Sequence, residues 1–376
     1  MTMISYLTTI RFGFDESDAL SDELKAVGIA RPLVVTDRGI IAAGLAERVL
    51  AKAGGAHWPV FEGTPSNPTE EAAHQALAIY TAEKCDGLVA IGGGSPIDLA
   101  KAVALLATHE GPLEQYAAIL GGVPKISASI APVIAVPTTA GTGSEVGRAA
   151  LITLRDGRKL GFVSPHLIPV RAICDPLLTL GLPSGLTAAT GMDALSHCVE
   201  TYLSPRVNPP ADAIALDGAT RIIGNLTRAV AHGDDREARW QMMMGALQGG
   251  LCFQKGLGAV HGLSHALGGL TEPSLHHGTL NAVLMPAVMR FNAEAITDKI
   301  ARLRAALGLS AHADVADFFA GLNVDLKLPR GLRAMGVSAG VIDDMTRKAA
   351  QDHSTGTNPR LIDVAGYRQI FEQSWE

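Results

Sequence analysis

GLVAIGGGSPIDLAK, residues 87–101, is the stretch that decides the fold of the first half of this chain. Gly87–Ile91 is a short apolar run typical of a buried strand, and a helical pattern begins at Pro96. Three glycines and a serine, residues 92–95, lie between them. Glycines let the backbone approach a phosphate, and a helix N-terminus offers unpaired N–H groups to an anion. The stretch matches neither G-x-G-x-x-G nor a Walker P-loop, but it favours a phosphate site over a plain turn.

Strands and helices alternate on both sides of this stretch. We predict strands over residues 32–36, 57–61 and 132–137, and helices over residues 39–53 and 67–84. In the second helix, Asn67 is the predicted N-cap, Pro68 the first helical residue and Glu70 the capping-box acid. Continuous apolar strands that alternate with helices predict an α/β domain whose parallel sheet is covered on both faces.

A second polar loop, TTAGTGSE at residues 138–145, follows the predicted strand at 132–137. Loops that leave the carboxyl edge of an open parallel sheet bind ligands, and two of them favour a dinucleotide over a lone phosphate. Asp37 ends the first predicted strand. A carboxylate there would bond the adenosine ribose hydroxyls and repel a 2′-phosphate, which favours NAD over NADP. The alternative for Asp37 is a plain turn former.

Helical patterns dominate the second half of the chain. They cover residues 184–203, 210–231, 236–254, 272–293 and 297–307. We therefore predict two domains: an α/β domain over residues 1–180 that binds NAD, and an all-α domain over residues 181–376 that holds a metal and carries out catalysis.

Four of the twelve histidines lie in VHGLSHALGGLTEPSLHHG, residues 260–278. His261 and His265 are spaced i, i+4, as are Asp193 and His197 in GMDALSHCVE, so each pair shares one face of a helix. Imidazole and carboxylate suit a divalent transition metal such as Fe, Zn or Ni better than Ca or Mg. Either pair alone is more often a surface hydrogen bond or a satisfied core histidine. Two such pairs in apolar, glycine-rich surroundings favour a metal site.

The composition narrows the class of protein. An apolar content of 47% with 18% charged residues is ordinary for a globular enzyme. The net charge of −6 comes without a basic run, so we expect no nucleic-acid partner. The N-terminal segment lacks the pattern of a signal peptide, and no apolar run is long enough to span a membrane. Four scattered cysteines indicate reduced thiols and a cytoplasmic location.

These motifs together resemble those of the iron-containing (group III) alcohol dehydrogenases. GGGSPIDLAK, PTTAGTGSE, GMDALSH and VHGLSHALG…HHGTLNAVLMP carry the resemblance, which continues to Asn358-Pro359-Arg360. The resemblance implies a dehydroquinate-synthase-like nucleotide-binding α/β domain and a helical domain that holds a divalent metal. The expected metal is Fe²⁺, with Zn²⁺ as the alternative. It implies that the metal ligands are Asp193, His197, His261 and His277. It implies that NAD(H) lies along Gly93, Gly94, Ser95, Asp98, Thr138, Thr139, Thr142 and Lys159.

The adjacent His276 and His277 compete for the fourth ligand position. Neighbouring side chains on a helix point about 100° apart, so only one of them reaches a shared ion. His277 precedes Gly278, as the ligand does in the family that the chain resembles. We therefore expect His277 to bind the metal and His276 to point toward solvent or toward a cleft expected between the two predicted domains. The same resemblance places His265 near the substrate as a residue that is not a ligand.

The predicted function is a metal-dependent NAD(H) alcohol/aldehyde oxidoreductase. The metal would act as a Lewis acid toward the substrate oxygen, and His265, or the cofactor ribose with water, would relay the proton. A small alcohol or aldehyde is the expected partner, in a homodimer or a higher homo-oligomer. The alternative, a metal- and NAD-dependent cyclase of the dehydroquinate-synthase type, needs several cations around the metal residues, where this chain offers few. A non-enzymatic nucleotide-binding or filament-forming protein would not need four metal-competent residues.

Two cations are candidates for binding a distal carboxylate on the substrate. Lys255 lies six residues before His261, and Arg148 follows the TTAGTGSE loop. Both would suit a short semialdehyde. Solvated or cofactor-binding roles for the two residues are the slightly favoured alternative.

Overall fold

The computed structural model describes residues 8–270 and 272–376. Residues 1–7, the start of the segment predicted to lack a signal peptide, lie outside the described residues, and so does Thr271. The described residues form two compact units. One, the α/β unit, contains residues up to 139 and residues 143–181, and the other, the helical unit, contains residues 140–142 and 182–376.

The α/β unit is built on a parallel sheet. Its described strands are β1 (Thr9–Phe12), β2 (Pro32–Val35), β3 (Val60–Phe61), β4 (Gly87–Gly92), β5 (Val133–Pro137), β6 (Ala149–Thr153), β7 (Lys159–Val163) and β8 (Arg171–Cys174). Six of them form one sheet in the order β1-β8-β5-β4-β2-β3, and every pairing in it is parallel. β6 and β7 form a separate antiparallel hairpin.

Both faces of the sheet are buried. In β2, Leu33 and Val35 join one apolar cluster while Val34 joins the other. β4 alternates in the same way, with Leu88 on the first side and Val89 on the second. Because side chains alternate along a strand, only a sheet covered on both faces needs such unbroken apolar strands. The predicted α/β fold with a parallel sheet is confirmed.

The helices of the α/β unit start and stop differently from the prediction. They are α1 (Leu20–Ala26), α2 (Arg38–Ala42), α3 (Leu45–Lys52), α4 (Glu70–Ala82) and α5 (Gly94–Leu106). The single helix predicted over residues 39–53 is wrong, because Gly44 adopts a left-handed conformation (φ 69°) and separates α2 from α3.

The predicted capping box at Asn67 is also wrong. Thr69 is the N-cap of α4, and its hydroxyl accepts a hydrogen bond from the Ala72 N–H at 3.2 Å. The Thr153 N–H of β6 donates to the Pro68 carbonyl at 2.9 Å, and Thr69 bridges to the same residue. Pro68 and Thr69 are therefore held extended against β6 and cannot form the first helical turn.

The described residues of the second unit form helices and the loops between them, as predicted. Its helices are α6 (Ser184–Leu203), α7 (Pro209–Ala231), α8 (Arg236–Cys252), α9 (Ala259–Gly268), α10 (His277–Asn292), α11 (Ile300–Ala306), α12 (Val315–Asp325), α13 (Ile342–Ala350) and α14 (Val364–Gln373). Every residue of α6 from Thr187 onward is buried, and α7, α8 and α10 pack around it. The helix predicted over residues 272–293 begins only at His277, because His276 is extended and forms its N-cap.

The described residues contain neither a helix suited to span a membrane nor a disulfide bond. None of their helices combines the length and apolarity that crossing a bilayer requires. All four cysteines are buried and form no disulfide within this part of the chain.

Lys101 fixes α5 to the segment between β5 and β6. This side chain is fully buried, and its Nζ donates to the Ser144 carbonyl and hydroxyl oxygens at 2.7 and 2.8 Å. The carbonyls of Gly147 and Ala149 lie at 3.0 and 2.8 Å. Burial lowers the pKa of Lys101 to about 8. The Lys101 ammonium donates to all four oxygens. A substitution that removes it would therefore take a hydrogen-bond donor from each of these acceptors.

We expect Lys101→Met to lower the free energy of unfolding of the protein by about 2–4 kcal/mol, because buried acceptors lose a charged donor. Urea unfolding followed by circular dichroism measures the change. Lys52→Met is the matched control, since 61% of the Lys52 side chain is exposed and the change should cost under about 0.5 kcal/mol. Equal stability of the two variants would contradict a structural role for Lys101.

Candidate active site

Asp193 lies at the centre of a cluster of three histidines. Its Oδ1 is 3.8 Å from His197 Nε2, 3.8 Å from His261 Nε2 and 3.6 Å from His277 Nε2. Four ligands at about 2.1 Å around a tetrahedral ion lie roughly 3.4 Å from one another. Asp193, His197 and His261 are buried and offer ligand atoms within 4.8 Å of one another. The cluster therefore has nearly the dimensions of a tetrahedral metal site.

Three helices bring these side chains together. Asp193 and His197 share one face of α6, His261 lies in α9, and His277 is the first residue of α10. Gly278 makes the last approach possible, because a Cβ on it would lie 2.3 Å from the Ala189 carbonyl oxygen of α6. A residue with any side chain would push the start of α10, and His277 with it, away from Asp193.

Asn281 occupies the middle of the cluster. Its Nδ2 donates to Asp193 Oδ1 at 2.7 Å and lies 3.3 Å from His261 Nε2 and 3.2 Å from His277 Nε2. Its own Oδ1 is buried without a hydrogen-bond partner in the part of the chain that the structure describes. Asp193 Oδ1 and the Nε2 atoms of two histidines thus surround the Asn281 amide nitrogen, next to the unsatisfied amide oxygen. Such a group of acceptor atoms is expected at a site that holds a cation.

Glu200 also belongs to this cluster, and the sequence reasoning missed it. Its carboxylate accepts a hydrogen bond from His261 Nδ1 at 2.6 Å and another from the Val260 N–H at 2.7 Å. A histidine that donates from Nδ1 keeps the lone pair of Nε2 for a metal, and such carboxylates orient metal-binding histidines. The available signal was spacing: Glu200 follows Asp193 by seven residues and so shares its helix face.

The buried charges of the cluster depend on one another. Burial would raise the pKa of Asp193, but the three surrounding histidines outweigh it and hold that pKa well below its usual range. Burial lowers the pKa of His197 to about 4. Burial also opposes protonation of His261, but hydrogen bonds with Asp193 and Glu200 raise the pKa of this imidazole to about 9. Two buried carboxylates thus demand positive charge between them, from protons or from a cation.

His265 lies beside the cluster, and its Nδ1 faces a second acid, Asp352. Its Nδ1 lies 3.0 Å from Asp352 Oδ2, and Asp352 Oδ1 accepts from the Ser354 N–H at 2.8 Å. Although burial opposes it, the interaction with His265 holds the pKa of Asp352 well below its usual range. The His265 ring stacks on His277 with centroids 5.4 Å apart and on His353 at 5.6 Å. His265, Asp352 and His353 form a second group whose ligand atoms lie within 4.8 Å of one another.

His276 takes a different position from His277. It is the exposed N-cap of α10, and its Nδ1 accepts from the Thr279 N–H at 3.4 Å. The expected arrangement, with His277 toward Asp193 and His276 outside the cluster, matches this geometry.

Lys255 does not have the substrate-binding role considered for it. Its side chain is buried, and Nζ donates to the carbonyls of Thr201 and Tyr202 at 2.9 and 3.3 Å. Asp212 completes its contacts as an ion-pair partner. These carbonyls belong to the last turn of α6, where a cation is favoured by the helix dipole. Lys255 therefore stabilises the end of α6, and the candidate role at a substrate carboxylate is wrong. Arg148 lies at the start of the β6–β7 hairpin, where its carbonyl accepts from Ser164 N–H.

The glycine loop and the polar loop leave adjacent strands in the α/β unit. Gly92 of β4 pairs with Pro137 of β5, and the Thr138 N–H donates to the Gly92 carbonyl at 3.0 Å. Helix α5 begins at Gly94, two residues earlier than predicted, and its N-cap Gly93 supplies no capping side chain. The first N–H groups of α5 therefore receive no hydrogen bond from an N-cap side chain, as an anion site at this helix start requires.

Thr138 and Thr139 line this loop. A Cβ on Gly93 would lie 3.3 Å from the Thr139 side chain, so glycine allows the two loops to approach each other closely. The Thr138 hydroxyl is buried without a hydrogen-bond partner among the described residues. The Ser95 hydroxyl donates to the Ser66 carbonyl at 2.6 Å.

Other predicted cofactor residues make contacts within the protein. Asp37 caps α2, where its Oδ1 accepts from the Ile40 N–H at 3.0 Å. Lys159 Nζ donates to Asn67 Oδ1 at 2.9 Å, and burial lowers the pKa of this lysine. Thr142 belongs to the segment that packs in the helical unit.

Asp98 uses both carboxylate oxygens inside the α/β unit. Oδ1 accepts from the Ser144 hydroxyl at 2.5 Å and Oδ2 from the Leu151 N–H at 3.0 Å. In this arrangement Asp98 positions the polar loop and the β6–β7 hairpin.

Comparison with known proteins identifies the family. Residues 8–176 match the family described as "Iron-containing alcohol dehydrogenase", and residues 187–375 match "Fe-containing alcohol dehydrogenase family, C-terminal". A 4-hydroxybutyrate dehydrogenase of Cupriavidus necator is 55% identical over 381 residues, covering 100% of both chains.

Solved structures show the same similarity. A 1,3-propanediol oxidoreductase superposes with a TM-score of 0.93 at 35% identity, covering 100% of both chains. A sulfoacetaldehyde reductase from Bifidobacterium kashiwanohense, in complex with NAD⁺, gives 0.89 at 28% identity, covering 100% of this chain and 98% of the other.

The chain belongs to the iron-containing alcohol dehydrogenase family, and it is an alcohol/aldehyde oxidoreductase. The family implies a divalent metal and NAD(H). The relatives are dehydrogenases and reductases, so the cyclase alternative finds no support.

We expect Lys255→Met to destabilise the protein by about 3 kcal/mol, because Asp212 and the last carbonyls of α6 lose their buried cation. Urea unfolding measures the loss, with Lys348→Met as the control, since 57% of the Lys348 side chain is exposed. The ratio of kcat/KM for a carboxylated alcohol to that for a neutral one of equal length should not change. A fall in this ratio in correctly folded Lys255→Met would show that Lys255 contributes to binding the substrate carboxylate.

Proposed function

We propose that this alcohol dehydrogenase interconverts a short ω-hydroxy carboxylate, such as 4-hydroxybutyrate, and the corresponding semialdehyde. The alcohol loses a hydride to NAD⁺ and a proton to the protein, which yields the aldehyde, NADH and H⁺. The full-length 55% identity to a 4-hydroxybutyrate dehydrogenase carries this proposal. A second similar protein, the sulfoacetaldehyde reductase, also has an anionic aldehyde in its name.

Asp193, His197, His261 and His277 are the proposed metal ligands. The converging acceptor atoms, the two buried carboxylates and the unsatisfied Asn281 oxygen support this assignment. The proposed metal is divalent, with Fe²⁺ as the preferred ion and Zn²⁺ as the second choice. When bound there, it would supply Lewis acidity toward the substrate oxygen. Glu200 holds His261 in the tautomer that such a role requires.

The α/β unit is the proposed NAD(H)-binding domain, and the helical unit the proposed metal-binding and catalytic domain. The loops after β4 and β5 would hold the pyrophosphate against the N-terminus of α5. Asp37 would select NAD, since one carboxylate oxygen caps α2 and a 2′-phosphate beside it would be repelled. The proposed cofactor contacts are Asp37, Gly93, Gly94, Ser95, Asp98, Thr138, Thr139, Thr142 and Lys159.

His265 is the proposed proton relay. Asp352 accepts the hydrogen bond from its Nδ1, which leaves Nε2 with a lone pair for the proton of an alcohol. Its ring stacks on His277 and meets His261 edge-on at 5.6 Å, so it lies beside the proposed ligands. Asp352 would keep this tautomer during turnover, as the acid does in a catalytic triad.

A cytoplasmic homodimer or higher homo-oligomer stays a prediction. Four buried thiols without a disulfide in the described chain support a reducing compartment.

His277→Ala should purify without bound metal, because loss of one ligand in four removes most of the affinity. His276→Ala should retain metal like the unmodified protein, since its side chain caps α10 outside the cluster. Elemental analysis of both purified variants measures metal per chain, and circular dichroism checks that both are folded. Retention in His277→Ala together with loss in His276→Ala would exchange the two assignments.

The substrate class is tested with 4-hydroxybutyrate and 1-butanol, two alcohols with equal carbon chains. With NAD⁺ in excess, we expect kcat/KM for 4-hydroxybutyrate to be at least about tenfold higher, because a bound carboxylate contributes charge-assisted hydrogen bonds. NADH absorbance gives both rates. Equal values for the two alcohols would overturn the proposed substrate class and leave the dehydrogenase activity standing.

A further inference from the structure

We propose that His353 binds the distal carboxylate of the substrate and so sets the preference for anionic over neutral alcohols. The inference rests on the proposed function, since it names the residue that would recognise a 4-hydroxybutyrate-like substrate. It assigns a role to a side chain that neither the sequence motifs nor the metal cluster account for.

A site that binds carboxylated alcohols needs a hydrogen-bond donor for the substrate carboxylate, and this donor must lie at some distance from the metal ligands. Lys255, one of the two candidates from the sequence and the one in the helical unit, is buried under the end of α6 and has its Nζ bound to Thr201, Tyr202 and Asp212. The requirement therefore passes to another side chain close to the ligand cluster.

A row of imidazole rings leads outward from that cluster to His353. The ring centroids of His261 and His265 are 5.6 Å apart, and those of His265 and His353 are also 5.6 Å apart. His265 and His353 are nearly parallel, with 18° between their planes. Exposure rises along the row, from 1% for the His261 side chain through 10% for His265 to 50% for His353. His353 is thus the solvent-facing end of a row that starts at the proposed metal ligands.

Asp352 orients both outer rings. Its Oδ2 lies 3.0 Å from His265 Nδ1, and its Oδ1 lies 3.6 Å from His353 Nδ1. Because Nδ1 and Nε2 lie on different edges of an imidazole, the Nε2 edge of each ring is turned away from this carboxylate. As an imidazolium, His353 would face Asp352 with Nδ1 and donate from Nε2 to a substrate carboxylate, with the ring lying between the two acids.

The length of the row suits a four-carbon substrate. With carbon–carbon bonds near 1.5 Å, the hydroxyl oxygen and the carboxylate of an extended 4-hydroxybutyrate are roughly 5–6 Å apart. That span is close to one step of the imidazole row. An alcohol whose hydroxyl lies beside His265 therefore brings its carboxylate within reach of His353.

A metal ion is the other ligand that His265, Asp352 and His353 could share, since their ligand atoms lie within 4.8 Å of one another. Asp352 already accepts from His265 Nδ1 through Oδ2 and from the Ser354 N–H through Oδ1. A metal would have to replace both hydrogen bonds, whereas a carboxylate at Nε2 of His353 leaves them in place. The contacts favour the carboxylate.

The test compares variants of the metal-loaded enzyme by the ratio of kcat/KM for 4-hydroxybutyrate to that for 1-butanol. His353→Leu keeps the bulk of the side chain and removes the donor, so this ratio should fall about tenfold or more. His353→Gln places an amide N–H near the position of Nε2 and should restore part of the ratio. His312→Leu, a change at another exposed histidine of the helical unit, should leave it unchanged.

A binding measurement separates recognition from turnover. Calorimetry with butyrate, which has the carboxylate and lacks the hydroxyl, should show weaker binding to His353→Leu than to the unmodified enzyme and to His312→Leu. Metal content per chain should be equal in all three proteins.

The outcomes distinguish the inference from the proposed function. If the unmodified enzyme shows no preference for 4-hydroxybutyrate, the proposed substrate class fails. If the preference exists and His353→Leu keeps both it and butyrate binding, the inference about His353 fails while the proposed function stands. If His353→Leu loses metal, the trio is a cation site and the inference is likewise overturned.

Discussion

The placement of two carboxylates on one face of α6, a helix that is buried from Thr187 onward, is the constraint on which the helical unit depends. Asp193 and Glu200 of α6 lie where an unpaired charge would be very costly. Their charge is balanced by imidazoles from other helices, above all His261, which lies between the two acids. α9 and α10 must therefore approach α6 closely, and Gly278 permits this at the start of α10.

Much of the fold could be predicted from local pattern. The apolar strands with a glycine-rich loop after one of them indicated a parallel sheet, because side-chain alternation and backbone freedom are local properties. The i, i+4 spacing indicated that Asp193 with His197, and His261 with His265, would share helix faces. The two pairs together favoured a metal site, and the resemblance to a known family then placed His277, and not His265, in the ligand set.

The remaining features depend on contacts between distant parts of the chain. Thr69 replaces Asn67 as a helix cap because Pro68 is paired with β6, more than eighty residues later. The sequence suggested that the Lys255 cation was available to a substrate, but its ammonium donates to a carbonyl at the end of α6. Asp352 reaches His265 from a segment without any motif. Charge and spacing along a sequence do not reveal which group a long side chain will meet.

The distribution of the proposed ligands over α6, α9 and α10 has a mechanical consequence. An ion held by all three helices acts as a cross-link between residues 193 and 277, much as a disulfide would, but one that can be removed reversibly. Ligands that bind only the folded arrangement stabilise it by mass action. The helical unit would thus gain resistance to unfolding and proteolysis in proportion to the metal supply, while the α/β unit, which contributes no ligand, would be indifferent to it.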